Sequence, residues 1–257
     1  EQSVAARRDE DQIDYSITTN VELGRLLPEK VKLSAPLYYS YSKETVQPKY
    51  NPFDTDMLMK DALESLSTQH ERDSLKALTN HVERNSNLSF SGIRFNIASK
   101  HPMPYDPANF TFHYSHSVQS KEGQTTVYEN QKNWRGGLNY SWTPNWKPWE
   151  PFKNLKGKSK WLDIIKQQNL SYAPQSLTFS TELTRTYYEL QERDLDNLQN
   201  KEALPVNFSS TFLWNRNFQL RWDIFKALHF TFQSGTRAEV EEPFVQVNKD
   251  LYPDQYE

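Results

Sequence analysis

His113 and His116 are the residues that most resemble a metal-ligand pair, because two imidazoles lie three positions apart. They occur in a segment where apolar and polar residues alternate, which is the pattern of a β-strand. Side chains three residues apart on a strand point to opposite faces of the sheet, so the two rings cannot bind one ion. We therefore predict two independent histidines and no metal site.

Asp54, Asp56 and Asp61 suggest a calcium-binding loop. An EF-hand loop beginning at Asp54 would need Asp or Asn at position 58 and Gly at position 59, where the chain has Leu58 and Met59. The aspartates fit better as residues that cap and begin a helix, since carboxylates there accept hydrogen bonds from free backbone N–H groups.

Sequence patterns of enzyme chemistry are missing. The chain has no G-x-S-x-G, H-E-x-x-H, Walker or Rossmann motif. Its glutamates lie in polar runs or, like Glu241 and Glu242, side by side, whereas catalytic carboxylates must face each other across a cleft. We expect no catalytic residue, no cofactor and no enzyme activity.

The amino-acid composition limits the possible fold classes and binding partners. The chain has 30 basic and 33 acidic residues, a net charge of −3, which argues against nucleic acid as a partner. Only 36% of residues are hydrophobic and mean hydropathy is −0.87, yet 14% are aromatic, far more than disordered segments contain. No apolar run approaches the roughly 18 residues of a membrane-spanning helix. We therefore expect ordered structure without a thick core, and no helical membrane protein.

The strongest pattern is the alternation of apolar and polar residues with period two, which predicts β-strands. About eight or nine strands are predicted, at 15–23, 33–41, 87–97, 109–118, 125–134, 138–142, 176–187, 207–222 and 228–232. At 87–97 the apolar phase changes across Gly92, which predicts a bulge. Leucines at helical spacing predict a helical insertion at 54–84, and a polar stretch at 67–74 predicts a possible division into two helices. Residues 143–168 are rich in Trp, Pro and Lys, which indicates a loop with a short helix.

Strand length favours a barrel wall over a soluble sheet. Alternation over residues 207–222 extends to roughly 50 Å at about 3.3 Å per residue, beyond an ordinary strand. We expect residues 1–257 to form a section of one antiparallel transmembrane β-barrel, an all-β fold. Outward candidates facing lipid or a protein neighbour are Phe110, Phe112, Tyr114, Phe208, Phe212 and Trp214, and lumen-facing candidates are Thr111, His113 and Ser115. Arg216 interrupts the outward row, so we expect it outside the hydrocarbon band or covered by protein.

Four tryptophans beside lysines suggest a membrane interface. Trp142, Trp146, Trp149 and Trp161 fall within 20 residues, and Trp and Lys are enriched at the headgroup level. A Trp-pinned loop packed on a soluble domain explains the same residues equally well.

Five strings carry a resemblance to a known family. They are YNPFDTDMLMKDALESL (50–66), WRGGLNYSW (134–142), KPWEPFKNLKGKSKWLDIIK (147–166), FLWNRNFQLRWDIFKALHFTF (212–232) and RAEVEEP (237–243). Together they resemble the SprA, or Sov, family of giant outer-membrane proteins of the type IX secretion system of Bacteroidota, which also serves gliding motility. The likeness is weakest over the first dozen residues, 67–86 and 190–205.

The resemblance implies a wall section of a barrel wide enough to pass folded cargo to the cell surface. It also implies as partners a PorV-like outer-membrane barrel, a periplasmic plug protein, secreted cargo proteins, and membrane lipid or lipopolysaccharide. The largest known barrels have about 36 strands. This chain would supply about a quarter of such a barrel, so we expect a fragment of a longer protein. A soluble β-rich module that binds carbohydrate or protein on a tryptophan platform is the alternative, and detergent partitioning would separate the two.

Overall fold

Long antiparallel strands dominate the computed structural model, which describes residues 10–97, 99–150, 169–194, 204–225 and 228–241. Two helices, α1 (Met59–Ser65) and α2 (Gln69–Thr79), lie between strands. The strands in chain order are β1 (Glu10–Glu22), β2 (Leu33–Ser34), β3 (Pro36–Pro48), β4 (Tyr50–Asn51), β5 (Asp54–Leu58), β6 (His81–Phe95), β7 (Phe110–Glu122), β8 (Thr126–Trp142), β9 (Ser176–Glu192), β10 (Asn207–Phe225) and β11 (Leu228–Glu241). The predicted all-β class is confirmed.

Nine strands form one sheet in the order β1-β3-β6-β7-β8-β9-β10-β11, with the short β2 paired to β6. Every pairing in the sheet is antiparallel, so the chain runs up and down as a meander. Within the described ranges, β1 pairs only with β3 and β11 only with β10. The sheet is therefore open at both edges.

The register sorts side chains onto two faces, because antiparallel partners share a face and successive residues alternate. Phe112, Leu138, Thr181, Arg216 and Thr236 form one row across five strands. We call the face that carries this row the aromatic face. His113, Gly137, Glu182, Asn215 and Arg237 form the adjacent row on the opposite side, which we call the polar face.

The predicted bulge at Gly92 is confirmed. The pairing of β6 with β7 shifts register between Phe90 and Ile93, and Gly92 has a φ of 82°. That backbone conformation strongly favours glycine, and the extra residue returns Ile93 to the face that carries Phe90. The phase change in the sequence therefore keeps the aromatic face continuous.

Few large side chains are buried among the described residues. The buried hydrophobic residues are Ala35, Met59, Ala62, Trp142 and Ala173. Met59, at 2% exposure, belongs to α1 beside the β4–β5 hairpin, and its backbone N–H donates to the Lys49 carbonyl. The sheet itself has no covering layer in the described part of the chain.

The predicted insertion at 54–84 is wrong at both ends. Residues 54–58 form β5 and residues 81–84 belong to β6. Leu58 is the N-cap residue of α1 and makes no side-chain cap, so Asp54 and Asp56 do not cap a helix, while Asp61 lies in the first turn of α1. The division into two helices within this segment is observed, with α2 beginning after Thr68.

A capping box fixes the start of α2. The backbone N–H of Glu71 donates to Thr68 Oγ1 at 3.2 Å, and the backbone N–H of Thr68 donates to Glu71 Oε2 at 3.0 Å. The bond from the Thr68 backbone lowers the pKa of the Glu71 carboxyl. Neither helix in the described ranges has the length and hydropathy to cross a membrane.

Two further sequence predictions concern β8 and the loop at 143–168. The predicted strands 125–134 and 138–142 are one continuous strand, β8, that runs through Gly136 and Gly137. Residues 151–168, with the predicted short helix, lie outside the described residues. In the described part of that loop, Trp149 and Leu170 exchange two backbone hydrogen bonds of 2.8 and 2.9 Å.

Candidate functional site: the two faces of the sheet

A charged cluster occupies the centre of the polar face. His113 on β7 and Glu182 on β9 both pair with Gly137 on β8 between them. The His113 ring lies over Gly137, so closely that a Cβ at position 137 would overlap the ring. Because Gly137 has no side chain, His113 reaches across β8 toward Glu182.

Glu182 lies between the other two charged members of the cluster, Arg135 and His113. Its Oε1 accepts from Arg135 Nη2 at 2.9 Å, and its Oε2 lies 3.6 Å from His113 Nε2. The side chains of His113 and Glu182 are 27% and 30% exposed, whereas Arg135 is 59% exposed. The carboxylate thus bonds to Arg135 on the adjacent β8, lies near His113 on β7 one strand further, and remains open to water.

A cavity of about 440 Å³ lies beside this cluster. Its lining is polar and consists of His113, Asn139, Ser180, Glu182, Asn215, Asn217, Gly235, Thr236 and Arg237. A second cavity of about 250 Å³ nearer β3 and β6 is lined mainly by Ser, Asn and Gln, including Ser42, Asn85 and Gln131. Among the described residues no group of three or more His, Asp or Glu side chains could hold a metal ion.

Large apolar side chains on the aromatic face are open to solvent. Phe112 is 49% exposed, Tyr114 40% and Trp214 38%. The same face carries exposed Ile13, Tyr15, Ile17, Val21, Tyr39, Leu183, Phe230, Phe232 and Val240. A contiguous exposed apolar surface of this extent marks a face that contacts lipid or protein.

The candidate residues segregate as the alternation predicts. Phe110, Phe112 and Tyr114 lie on the aromatic face, and Thr111, His113 and Ser115 lie on the polar face. Register through β9 puts Phe208, Phe212 and Trp214 on the aromatic face as well. His116 stacks on Trp134 on the aromatic face at 5.2 Å, so the two histidines do occupy opposite sides.

Toward one end of the strands the aromatic face becomes charged. Arg84 pairs with Glu122, and Glu189 accepts from Asn130 Nδ2 at 2.7 Å and from the Tyr187 hydroxyl at 2.9 Å. We call these rows, with Lys132, the charged tier. The rows between Phe110 and Trp134 hold mainly Phe, Tyr, Leu and Trp on β6 to β8, and we call them the apolar tier.

Arg216 lies within the apolar rows of β10. Its guanidinium stacks on the Trp214 ring at 4.1 Å from the ring centre. Trp214 in turn donates from Nε1 to Thr181 Oγ1 at 2.7 Å. The Nε atom of Arg216 is buried and has no hydrogen-bond partner in the described structure.

Two of the four tryptophans predicted to be interfacial, Trp142 and Trp146, pack against each other. Trp142 is 7% exposed and donates from Nε1 to the Pro102 carbonyl at 2.8 Å. Trp146 contacts Trp142 edge to face at 6.3 Å and stacks on Tyr172 at 5.1 Å. Trp149 is 59% exposed, and Trp161 lies outside the described residues. Because Trp142 is buried, it cannot belong to an exposed stacking platform.

Residues 1–63 match the SprA_N family, described as motility related/secretion protein. The resemblance to the SprA family is confirmed. In the described structure the matched segment covers β1 to β5 and the first residues of α1. The SprA family is thus one of secretion and motility proteins. No curated protein matches the chain.

Three features of the structure were not predicted from the sequence. The Arg135–Glu182 pair joins residues 47 positions apart and depends on the β8–β9 register. The space at Gly137 depends on the same register, although the Gly136–Gly137 pair within an aromatic strand was a usable sign of close approach. The capping box had a readable signature, Thr68 followed three residues later by Glu71.

Proposed function

We propose that the chain is a section of the wall of a large outer-membrane barrel that passes folded secreted proteins across the membrane, as the translocon of a type IX secretion system. The aromatic face meets lipid or neighbouring protein, and the polar face lines a water-filled lumen. The exposed apolar side chains of the aromatic face are the observation that carries this proposal. Soluble monomers rarely leave an apolar face of this extent uncovered.

The edge strands β1 and β11 support the proposal that the barrel wall continues beyond both edges of this sheet. β1 has 13 residues and β11 has 14, and each presents unpaired backbone groups among the described residues. Within a bilayer such edges are costly, so spanning sheets are closed by further strands. The nine strands here are then one part of a closed barrel with many more strands.

The polar face supports a passive lumen. The two cavities on this face are lined mainly by hydroxyls and amides, and the charged groups at its centre, His113, Arg135 and Glu182, contact one another. Among the described residues, no motif or cluster places a nucleophile beside a base. We propose that the wall has no enzymatic role and that cargo slides past a hydrated surface. A PorV-like barrel and a periplasmic plug are the proposed partners of the assembled wall.

Secretion by intact cells tests this function. Deleting β10 should abolish the appearance of cargo outside the cell, because unpaired backbone would be exposed to lipid. The matched variant, with alanine at Thr111, His113 and Ser115 together, should secrete normally. Barrel abundance in the outer membrane is measured for both. Secretion that stops in the triple variant at normal abundance would reveal a gate or a chemical site and contradict a passive conduit.

A further inference from the structure

Arg216 is a cation in the middle of an apolar row. On β10 it follows Phe212 and Trp214 and precedes Phe218, Leu220 and Trp222 on the same face. At about 3.3 Å per residue, Trp222 lies about 20 Å away along the strand and Phe212 about 13 Å. The charge is therefore far from either end of the row.

The surrounding residues fix the guanidinium in place. Trp214 lies under it, and the hydrogen bond from the indole to Thr181 fixes the Trp214 ring in turn. One face of the planar guanidinium is thus covered, while Thr236, directly opposite on β11, is small and exposed. Its Nε is buried without a hydrogen-bond partner in the described structure, so a partner would have to meet the terminal amino groups of the guanidinium.

The aromatic face of these strands offers no acid to pair with Arg216. Among the described residues of β9, β10 and β11, the acid on this face is Glu189, which pairs with Phe208. Phe208 is eight residues from Arg216, or about 26 Å along the strand. Glu182, which is closer, lies on the polar face and is held by Arg135.

We propose that the aromatic face around Arg216 is a docking site for a neighbouring membrane-embedded protein that presents a carboxylate at this height. This inference rests on the proposed function, in which the aromatic face points out of the barrel. An unpaired charge in hydrocarbon is costly, and a carboxylate from a neighbour removes that cost through a charge-assisted, bidentate hydrogen bond.

A protein carboxylate explains the position of Arg216 better than a lipid phosphate does. The apolar band of a barrel is about 25 Å tall, and phosphates lie only at its ends. On β10, apolar side chains flank Arg216 for about 13 Å as far as Phe212, which pairs with Arg185 of β9, and for about 20 Å as far as Trp222. A guanidinium held on Trp214 at mid-height cannot reach that level.

Photo-crosslinking in cells tests the docking site. A photoreactive residue replaces Thr236 in the protein as expressed in its native cells, and Phe112 on β7 serves as the matched position on the same face. We expect position 236 to form an adduct with a protein and position 112 to form adducts with lipid. Arg216→Glu should lower the protein adduct about tenfold or more, whereas Arg216→Lys, which keeps the charge but loses the bidentate geometry, should lower it less.

A charge-reversal substitution in the partner tests whether its carboxylate pairs with Arg216. The crosslinked protein is identified by mass, and an Asp or Glu at the crosslinked site is replaced by Lys. This change should restore the adduct in the Arg216→Glu background. If Arg216→Glu lowers barrel abundance, Arg216→Gln replaces it, and adducts are normalised to the barrel present.

The remaining outcomes overturn one claim each. Lipid adducts alone at position 236, or a protein adduct insensitive to both Arg216→Glu and Arg216→Gln, would overturn the docking site and leave the barrel wall intact. Failure of both positions to reach lipid or protein, with both open to water-soluble reagents, would overturn the proposed function itself.

Discussion

Large apolar side chains are buried in one region of the molecule and exposed in another. The first region is the small insertion formed by β4, β5 and α1, and the second is the nine-stranded sheet. In the insertion, Met59 at the start of α1 is 2% exposed, and α1 lies against β4 and β5. In the sheet, Ile13 is 67% exposed and Phe112 49% exposed. The insertion buries its own core, whereas the sheet presents its largest side chains outward.

This difference shows where each region obtains its stability. Burying a Leu, Phe or Met side chain contributes about 1.5–3 kcal/mol, and the insertion gains this from its own residues. The sheet has backbone hydrogen bonds along every strand, and in the proposed function it gains the apolar contribution from lipid or a neighbouring protein. Substitutions in the two regions should therefore respond differently to the membrane.

Met59→Ala is expected to have the largest local effect. Removal of a buried Met side chain costs about 2–5 kcal/mol because a cavity remains. The insertion should exchange backbone hydrogens faster and be cut sooner by protease, while the sheet keeps its resistance. Met57→Ala, at a position 37% exposed in the same hairpin, is the control and should change little. Loss of the whole sheet in Met59→Ala would show that the two regions are not independent.

Phe112→Arg and Ser115→Arg compare the aromatic face of the sheet with the polar face. A cation on the lipid-facing side of a barrel at mid-height costs about 2–4 kcal/mol, whereas the polar face lines a water-filled lumen in the proposed function. We expect Phe112→Arg to lower barrel abundance in the outer membrane and Ser115→Arg, on the same strand, to leave it nearly unchanged. Equal losses in the two variants would mean that both faces have the same surroundings.

Gly137→Ala tests the cluster on the polar face. The new Cβ overlaps the His113 ring, and overpacking of this kind costs about 1–3 kcal/mol. Gly136→Ala is the matched control, because its Cβ would meet Tyr114 at an ordinary 3.8 Å. Thermal unfolding in detergent should show the loss in Gly137→Ala and not in Gly136→Ala. His113→Ala should restore part of the stability in the double variant, because the new Cβ would still lie 2.8 Å from the Thr181 carbonyl oxygen. An undiminished loss in the double variant would assign the whole effect to the backbone.

Thr68→Ala has the smallest expected effect. Loss of the side-chain cap costs about 1 kcal/mol of helix stability and concerns only α2. The pKa of Glu71 is lowered, so the contribution of its carboxylate is complete above the usual carboxyl pKa and is lost as the pH falls through the lowered value. Hydrogen exchange of residues 69–79 measures both effects, and an unchanged rate at neutral pH would contradict the cap.

Local patterns in the sequence predicted what depends on neighbours along the chain. The alternation in β7 and β10 required only the period of a strand, and Gly92 marked the bulge. The β5 strand was missed because Asp54 and Asp56 resemble helix-capping residues, and tertiary pairing with β4 overrides that tendency. The His113–Glu182 contact and the stacking of Arg216 on Trp214 were not predictable, because they depend on register and on rotamers.

Alternate labelling along β7 tests the central claim most directly. Single cysteines at positions 110–115 are treated in intact outer membranes with a water-soluble, membrane-impermeant thiol reagent, after denatured samples establish that each cysteine is reactive. Strong labelling is predicted at 111, 113 and 115, and weak labelling at 110, 112 and 114, with the pattern lost in denaturant. Equal labelling at all six positions in the membrane would contradict a wall with one wet face and one face against lipid or protein.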